Sequence, residues 1–148
     1  MSEFFSNRGI DKISDSVMGR GKQSKMTEAA HFARLSALLH QNYGVETAWL
    51  KNDWSGADFV AFHPDPSRNF CIWVQLKGRV TIKKSYENKG DLCIAFIHGD
   101  DWYIVPHEEL LKLVPDSWLI SSSWKNKGIY HSSSPGKKLL QSLLPYKL

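Results

Sequence analysis

The stretch from Ser55 to Lys77, SGADFVAFHPDPSRNFCIWVQLK, constrains the fold more than any other part of the chain. Apolar runs from Phe59 to Phe62 and from Phe70 to Leu76 flank a Pro, Asp, Ser and Asn cluster from His63 to Asn69, a pattern that predicts two strands joined by a tight connection. Side chains alternate along a strand, so Cys71, Trp73, Gln75 and Lys77 share one side of the second strand while Ile72, Val74 and Leu76 share the other. Asp58 stands where the first strand begins, and in an antiparallel hairpin the start of one strand lies beside the end of its partner. The pattern therefore brings a carboxylate, an amide oxygen and an ammonium to one edge of a sheet. Such a set can hold a divalent cation and a phosphate.

The remaining segments supply what that hairpin needs on either side. Thr27 is placed to cap a helix running to about Asn42, with Gly44 ending it. Within it Phe32, Leu35 and Leu39 follow the spacing of a buried face, and one turn back along that row is Glu28. Two accounts of Glu28 stand: a carboxylate favoured by the helix dipole, or an inward-pointing acid delivered to the sheet edge where Asp58 sits. Val45 to Leu50 reads as a first strand, followed by a polar connection from Lys51 to Ala57 that contains Asp53 and Gly56. Leu92 to Ile97 is almost wholly apolar, which predicts a strand buried on both faces. His98 to Asp101 turns the chain, Trp102 to Val105 returns it, and Pro106 opens a helix through about Leu113. Asp116 to Ile120 reads as a short edge strand. A Ser-, Lys- and Gly-rich stretch from Ser121 to Ser134 leads into a last helix, with Ser134 as N-cap, Pro135 at its first position and Leu139, Leu140, Leu143 and Leu144 on its apolar face. The order of elements predicts an α/β fold, a mixed central sheet flanked by helices. Residues 1–26 read as a flexible basic arm, with the run Gly19 to Lys25 as its most charged part, and residues 27–148 as a single domain.

Charge placement bears on partners. Nineteen Lys and Arg against 15 Asp and Glu give a net charge of +4 over 148 residues, a balance that permits a polyanionic partner. The cations are grouped from Arg20 to Lys25, Lys77 to Lys89 and Lys125 to Lys138. Arg79, Lys83, Lys84 and Tyr86 directly follow Lys77 and can extend a positive surface along a phosphate backbone. Trp124, Lys125, Lys127, Tyr130 and Lys137 combine aromatics with cations; they read either as a groove-contacting loop or as ordinary surface with Trp124 and Tyr130 tucked into the core. Cys71 and Cys93 lie in apolar strand runs, where buried thiols are expected. The sequence has no zinc-type Cys spacing, no phosphate-binding GxxxxGK loop and no supported Ser/His/Asp arrangement. No signal-peptide-like or membrane-spanning run occurs, so no membrane association and a cytoplasmic location are expected.

An acid opening a strand, a polar-x-Lys on the next strand and an acid on the preceding helix resemble the PD-(D/E)XK nuclease superfamily. The matching residues are Ala57-Asp58, then Gln75-Leu76-Lys77, with Glu28 in the position of the helix acid used by several branches. The approach Gly56-Ala57-Asp58 resembles that of the archaeal Holliday-junction resolvases, and homing and restriction endonucleases are further branches. The resemblance spans Thr27 to about Leu113. It implies a restriction-endonuclease-like core and magnesium-dependent, or manganese-dependent, hydrolysis of DNA phosphodiesters. It also implies that Asp58, Glu28, Gln75 and the backbone carbonyl of Leu76 hold the metal while Lys77 positions the attacking water. Duplex or branched DNA is the implied partner, and a homodimer or higher homo-oligomer is expected because cutting both strands requires two sites. Gln75 departs from the family's usual Asp or Glu, supplying an oxygen without charge; a nucleic-acid-binding module that has lost catalysis is therefore the alternative. Asp53, Asp65, His31, His107 and Glu108 are rivals for site roles. Of these, Asp65 should point away from Asp58, His107 and Glu108 read as helix-start residues, and His31 reads as solvent-facing.

Overall fold

The computed structural model describes residues 2–15, 27–54 and 56–148, apart from the side chains at 53 and 54. Helix α2, Glu28–Tyr43, forms where the sequence predicts it, after a short helix α1, Glu3–Ser6. The Thr27 side chain accepts the Ala30 N–H at 3.2 Å, satisfying one of the donors a helix start leaves open. At the other end Gly44 adopts φ 67°, Gly44 N–H bonds the His40 carbonyl and Val45 N–H bonds the Leu39 carbonyl. Those crossed bonds close the last turn.

Five strands make the main sheet: β1 Glu46–Trp54, β2 Ala57–Phe62, β3 Cys71–Lys77, β5 Leu92–His98 and β6 Asp101–Pro106, in the order β1-β2-β3-β5-β6. Only β3 and β5 run parallel; the other neighbours are antiparallel, so the sheet is mixed. The chain crosses from β3 to β5 through a strand, β4 Val80–Lys83, and a 3-10 turn, Lys84–Tyr86. β4 leaves the main sheet to pair antiparallel with β7, Ile129–Ser132. The β6 edge is covered by the C-terminus, where Leu148 N–H bonds the Trp102 carbonyl at 2.9 Å.

Two apolar layers fill the faces of this sheet. On one, Phe59, Ala61, Ile72, Val74, Leu76, Ala95 and Ile104 meet Leu35 and Leu39 of α2. On the other, Ile94, Phe96 and Val105 meet Val80 and Ile82 of β4, Leu110 of α3 (His107–Leu113), Trp118 of α4 (Asp116–Leu119) and Leu139 of α5 (Lys137–Ser142). Strand β5 is buried from Leu92 to Phe96, as its continuous apolar run predicts.

Several expectations are corrected. Within the stretch read as an arm, Phe4, Phe5 and Ile10 enter the α2-side core, and Phe5 packs edge-on against Tyr43 and Phe70 at 5.0 and 5.3 Å between ring centres. The charged run Gly19 to Lys25 lies outside the described residues. Strand β1 continues to Trp54, through most of the stretch read as a connection. Asp116–Leu119 is a helical turn rather than an edge strand, and Ser123–Lys127 forms another, wider turn leading into β7. The last helix begins at Lys137 with Gly136 at its N-cap position, later than the Ser134 start. Cys93 is buried, its thiol pushed up to about 12 by burial, whereas Cys71 is exposed. Among the described residues no helix is long and apolar enough to cross a membrane.

Candidate active site

The hairpin register places Phe59 opposite Val74, which sets Asp58 across from Gln75 on the same face. One carboxylate oxygen, Asp58 Oδ2, accepts the Gln75 Nε2–H at 2.7 Å and the Leu76 backbone N–H at 2.8 Å. Asp58 is half-buried and Gln75 is 8% exposed, so these charge-assisted bonds form where water competes little. In an extended strand the N–H and C=O of one residue point to the same side; the Leu76 carbonyl is therefore turned towards β2, as its N–H is. Lys77, half-buried, follows Gln75 by two residues and leaves the strand on the same face. Asp58, Gln75, Leu76 and Lys77 thus gather at one sheet end.

The turn before Asp58 is tightly set. Gly56 has φ 84°, and a Cβ there would lie 3.3 Å from the Tyr86 ring and 3.4 Å from Leu92. Only glycine meets both the backbone angle and the close approach.

Glu28 does not join this group. Helix α2 packs on the face that carries Val74 and Leu76, whereas Asp58, Gln75 and Lys77 project from the opposite face. Glu28 is exposed at the first helical position, one turn before His31. His31 is not solvent-facing: its ring packs edge-on against Trp102 at 5.7 Å, and burial, then Arg34, lowers its pKa. His31 Cε1 lies 3.6 Å from where a Cβ on Gly78 would stand, so the start of α2 passes the end of β3.

Gln75 also differs in detail from a metal ligand, for it presents its nitrogen, not its oxygen, to Asp58. Among the described residues no three His, Cys, Asp or Glu side chains form a group that could hold a metal ion. The donor set that fits a hard divalent cation here is one carboxylate, Asp58, with neutral oxygens from the Leu76 carbonyl and, after a turn of its amide, Gln75.

Of the other rivals, the Asp53 side chain lies outside the described residues, and the rest take other places. Asp65 sits at the far end of the hairpin, where its carboxylate accepts from the Ser67 N–H and hydroxyl, and those bonds hold its pKa down. His107 is more than a helix-start residue: it is 1% exposed, its Nε2 accepts the Lys83 N–H at 3.2 Å, and burial pushes its pKa down to about 4. Glu108 is exposed on α3.

The two basic groups, separate in sequence, come together in space. Pairing of β4 with β7 sets Lys83 opposite Ile129, and the Lys84 N–H bonds the Gly128 carbonyl at 2.8 Å. Lys84 Nζ lies 5.4 Å from the centre of the Trp124 ring, between the two groups. Lys84, Lys125 and Lys127 are exposed beside one another along this seam, with Lys83 half-buried. Trp124 and Tyr130 belong to the core instead: Trp124 is buried and Tyr130 stacks on Trp118 at 4.7 Å. Tyr86, expected on the binding surface, is also buried, edge-on to His107 at 5.5 Å. One further residue on this surface carries no motif in the sequence: His131, which the ladder sets opposite Thr81. Only the pairing of β7 with β4 reveals it.

Comparison with protein-family models, with curated proteins and with solved structures returned no match.

Proposed function

We propose that this protein is a metal-dependent DNA endonuclease of the restriction-endonuclease-like fold, built around Asp58 and Lys77. The observation that carries the reading is the Asp58 carboxylate fastened by Gln75 and Leu76 at the end of β3, with Lys77 on the same face. The mixed sheet, entered from a helix and carrying these residues on its central hairpin, supports the fold assignment. The cationic seam of Lys83, Lys84, Lys125 and Lys127 supports a phosphate-backbone partner.

Asp58, the Leu76 carbonyl and the Gln75 amide oxygen would hold magnesium or manganese, without the helix acid Glu28, which lies on the other face of the sheet. A metal bound there supplies Lewis-acid stabilisation of the phosphate and a more acidic water. Asp58 contributes the charge that fixes the cation, and its two protein hydrogen bonds keep that carboxylate oriented beforehand. Lys77 supplies a positive charge that faces the scissile phosphate and orients the attacking water. Two copies of the chain would be needed to cut both strands.

A second reading is a nucleic-acid-binding module on the same scaffold without turnover. The donation from Gln75 nitrogen to Asp58 favours it, since Asp58 is satisfied in this arrangement without a cation. Cleavage of supercoiled plasmid and of a four-way junction, with magnesium, manganese or EDTA, separates the two. Metal-dependent cutting is expected, lost in Asp58→Asn and slowed about 100- to 10,000-fold in Lys77→Ala. Binding without cutting in either metal would establish the second reading.

A further inference from the structure

Beside the end of β3 lies a cavity of about 400 Å³ whose lining includes Lys77, Gly78, Arg79, Thr81, His131 and Ser133. The β4–β7 ladder builds it. Thr81 pairs with His131 and Val80 with Ser132, so Thr81 and His131 project to one face by the alternation of strand side chains, and Arg79 and Ser133, just outside the paired positions, line the same cavity. The Thr81 hydroxyl donates to the Arg79 carbonyl at 3.0 Å and fixes the turn that carries the guanidinium. Lys77 closes the cavity from the end of β3.

Its chemistry is one-sided. Among the described residues a guanidinium, an ammonium, an imidazole and hydroxyls line it, and no carboxylate does. His131 has its pKa lowered by burial, then by Arg79 and then by Lys77, which places two cations beside one imidazole around a shared space. An oxyanion with several acceptor oxygens balances the two cations and can accept from the guanidinium, the ammonium, an imidazole N–H and the Ser133 hydroxyl, while the Thr81 hydroxyl holds the turn. The ladder then runs on from Thr81 to Lys83, Lys84 and the lysines of the 123–127 turn. Its four paired positions span about 10 Å, long enough for cations at its two ends to face more than one phosphate of a strand. A string of phosphates, rather than one isolated anion, matches that layout.

We propose that Arg79 and His131, with Lys77, Thr81 and Ser133, form a subsite that holds a backbone phosphodiester of a nucleic-acid strand. The subsite rests on the reading that this chain binds nucleic acid, but not on catalysis or on a metal.

The test is binding of a fluorescein-labelled single strand in EDTA, followed by anisotropy over a series of salt concentrations. Arg79→Gln and His131→Ala should each bind at least about tenfold more weakly, and Arg79→Gln should flatten the log–log salt slope by about 0.7, one lost single-strand contact. Lys138→Gln, an exposed change of equal charge on α5, should bind as the wild type does. In unsubstituted protein the imidazole resonance of His131 should move on adding the strand, and inorganic phosphate should move it in the same direction at higher concentration. Affinities of Arg79→Gln and His131→Ala matching that of Lys138→Gln, with an unmoved His131 resonance, would overturn the subsite while leaving strand binding elsewhere intact. A wild type that binds no strand would sink the subsite together with the nucleic-acid reading. Binding that depends on Arg79 and His131 without any metal-dependent cutting would uphold the subsite and sink the nuclease reading alone.

Discussion

At the scale of single residues, the contact between Gln75 and Asp58 decides how the sheet end behaves without a cation. Replacing the Gln75 amide by a carboxylate removes a donor and sets a second negative charge within 2.7 Å of the first. Gln75→Glu should therefore lose about 1–3 kcal/mol of stability in EDTA, because Asp58 loses a partner in a half-buried place. Magnesium or manganese should restore it, since a cation that binds only the folded state stabilises it by mass action. Thermal melts of the variant with and without metal check this; a loss that neither metal reverses would count against a cation site. His107 provides a second residue-scale outcome. Its ordinary pKa of 6.5 is lowered to about 4 in the fold by burial, so between these values the unfolded chain binds the extra proton. His107's contribution is full above pH 6.5, declines as pH falls towards 4, and changes no further below that. The loss is on the order of 3 kcal/mol. Urea midpoints at pH 7 and pH 4.5 should differ less in His107→Gln, whose amide oxygen can still accept the Lys83 N–H.

At the scale of elements, the ends of α2 and the β2–β3 hairpin follow local rules. Gly44, at φ 67°, has no neighbour closer than 3.9 Å to an added Cβ, so Gly44→Ala meets backbone strain and no clash. It should cost about 1 kcal/mol, read as a lower denaturant midpoint with an unchanged slope. The same local logic makes both ends of α2 legible from Thr27 and Gly44, and the register of the hairpin legible from alternation between Phe59–Phe62 and Phe70–Leu76. It fails at Asp116–Leu119, where Trp118, Leu119 and Ile120 look like a strand fragment. A single helical turn suffices there to bury Trp118 against Tyr130, and a segment so short shows no period that separates helix from strand.

At the scale of the whole molecule, the first fifteen residues matter more than their composition suggests. Phe5 is fully buried among Tyr43 and Phe70, so Phe5→Ala should destabilise by about 3–5 kcal/mol, measured by chemical denaturation. A change below 1 kcal/mol would mean that this segment is not docked in solution. The sequence by itself determined the elements whose causes are local: the caps of α2, the buried run of β5, and the hairpin that sets Asp58 against Gln75 with Lys77 beyond it. These depend on backbone periods and on hydrogen-bonding groups a few residues apart. Only the tertiary structure decided which separate pieces share a surface. It docked Phe4 and Phe5, put Glu28 on the face opposite Asp58, buried Tyr86 and Trp124, left Cys71 exposed, and joined β4 to β7 so that two distant basic groups and His131 lie along one seam. Those outcomes follow from burying apolar surface between segments far apart in the chain, a drive proportional to area and indifferent to sequence spacing.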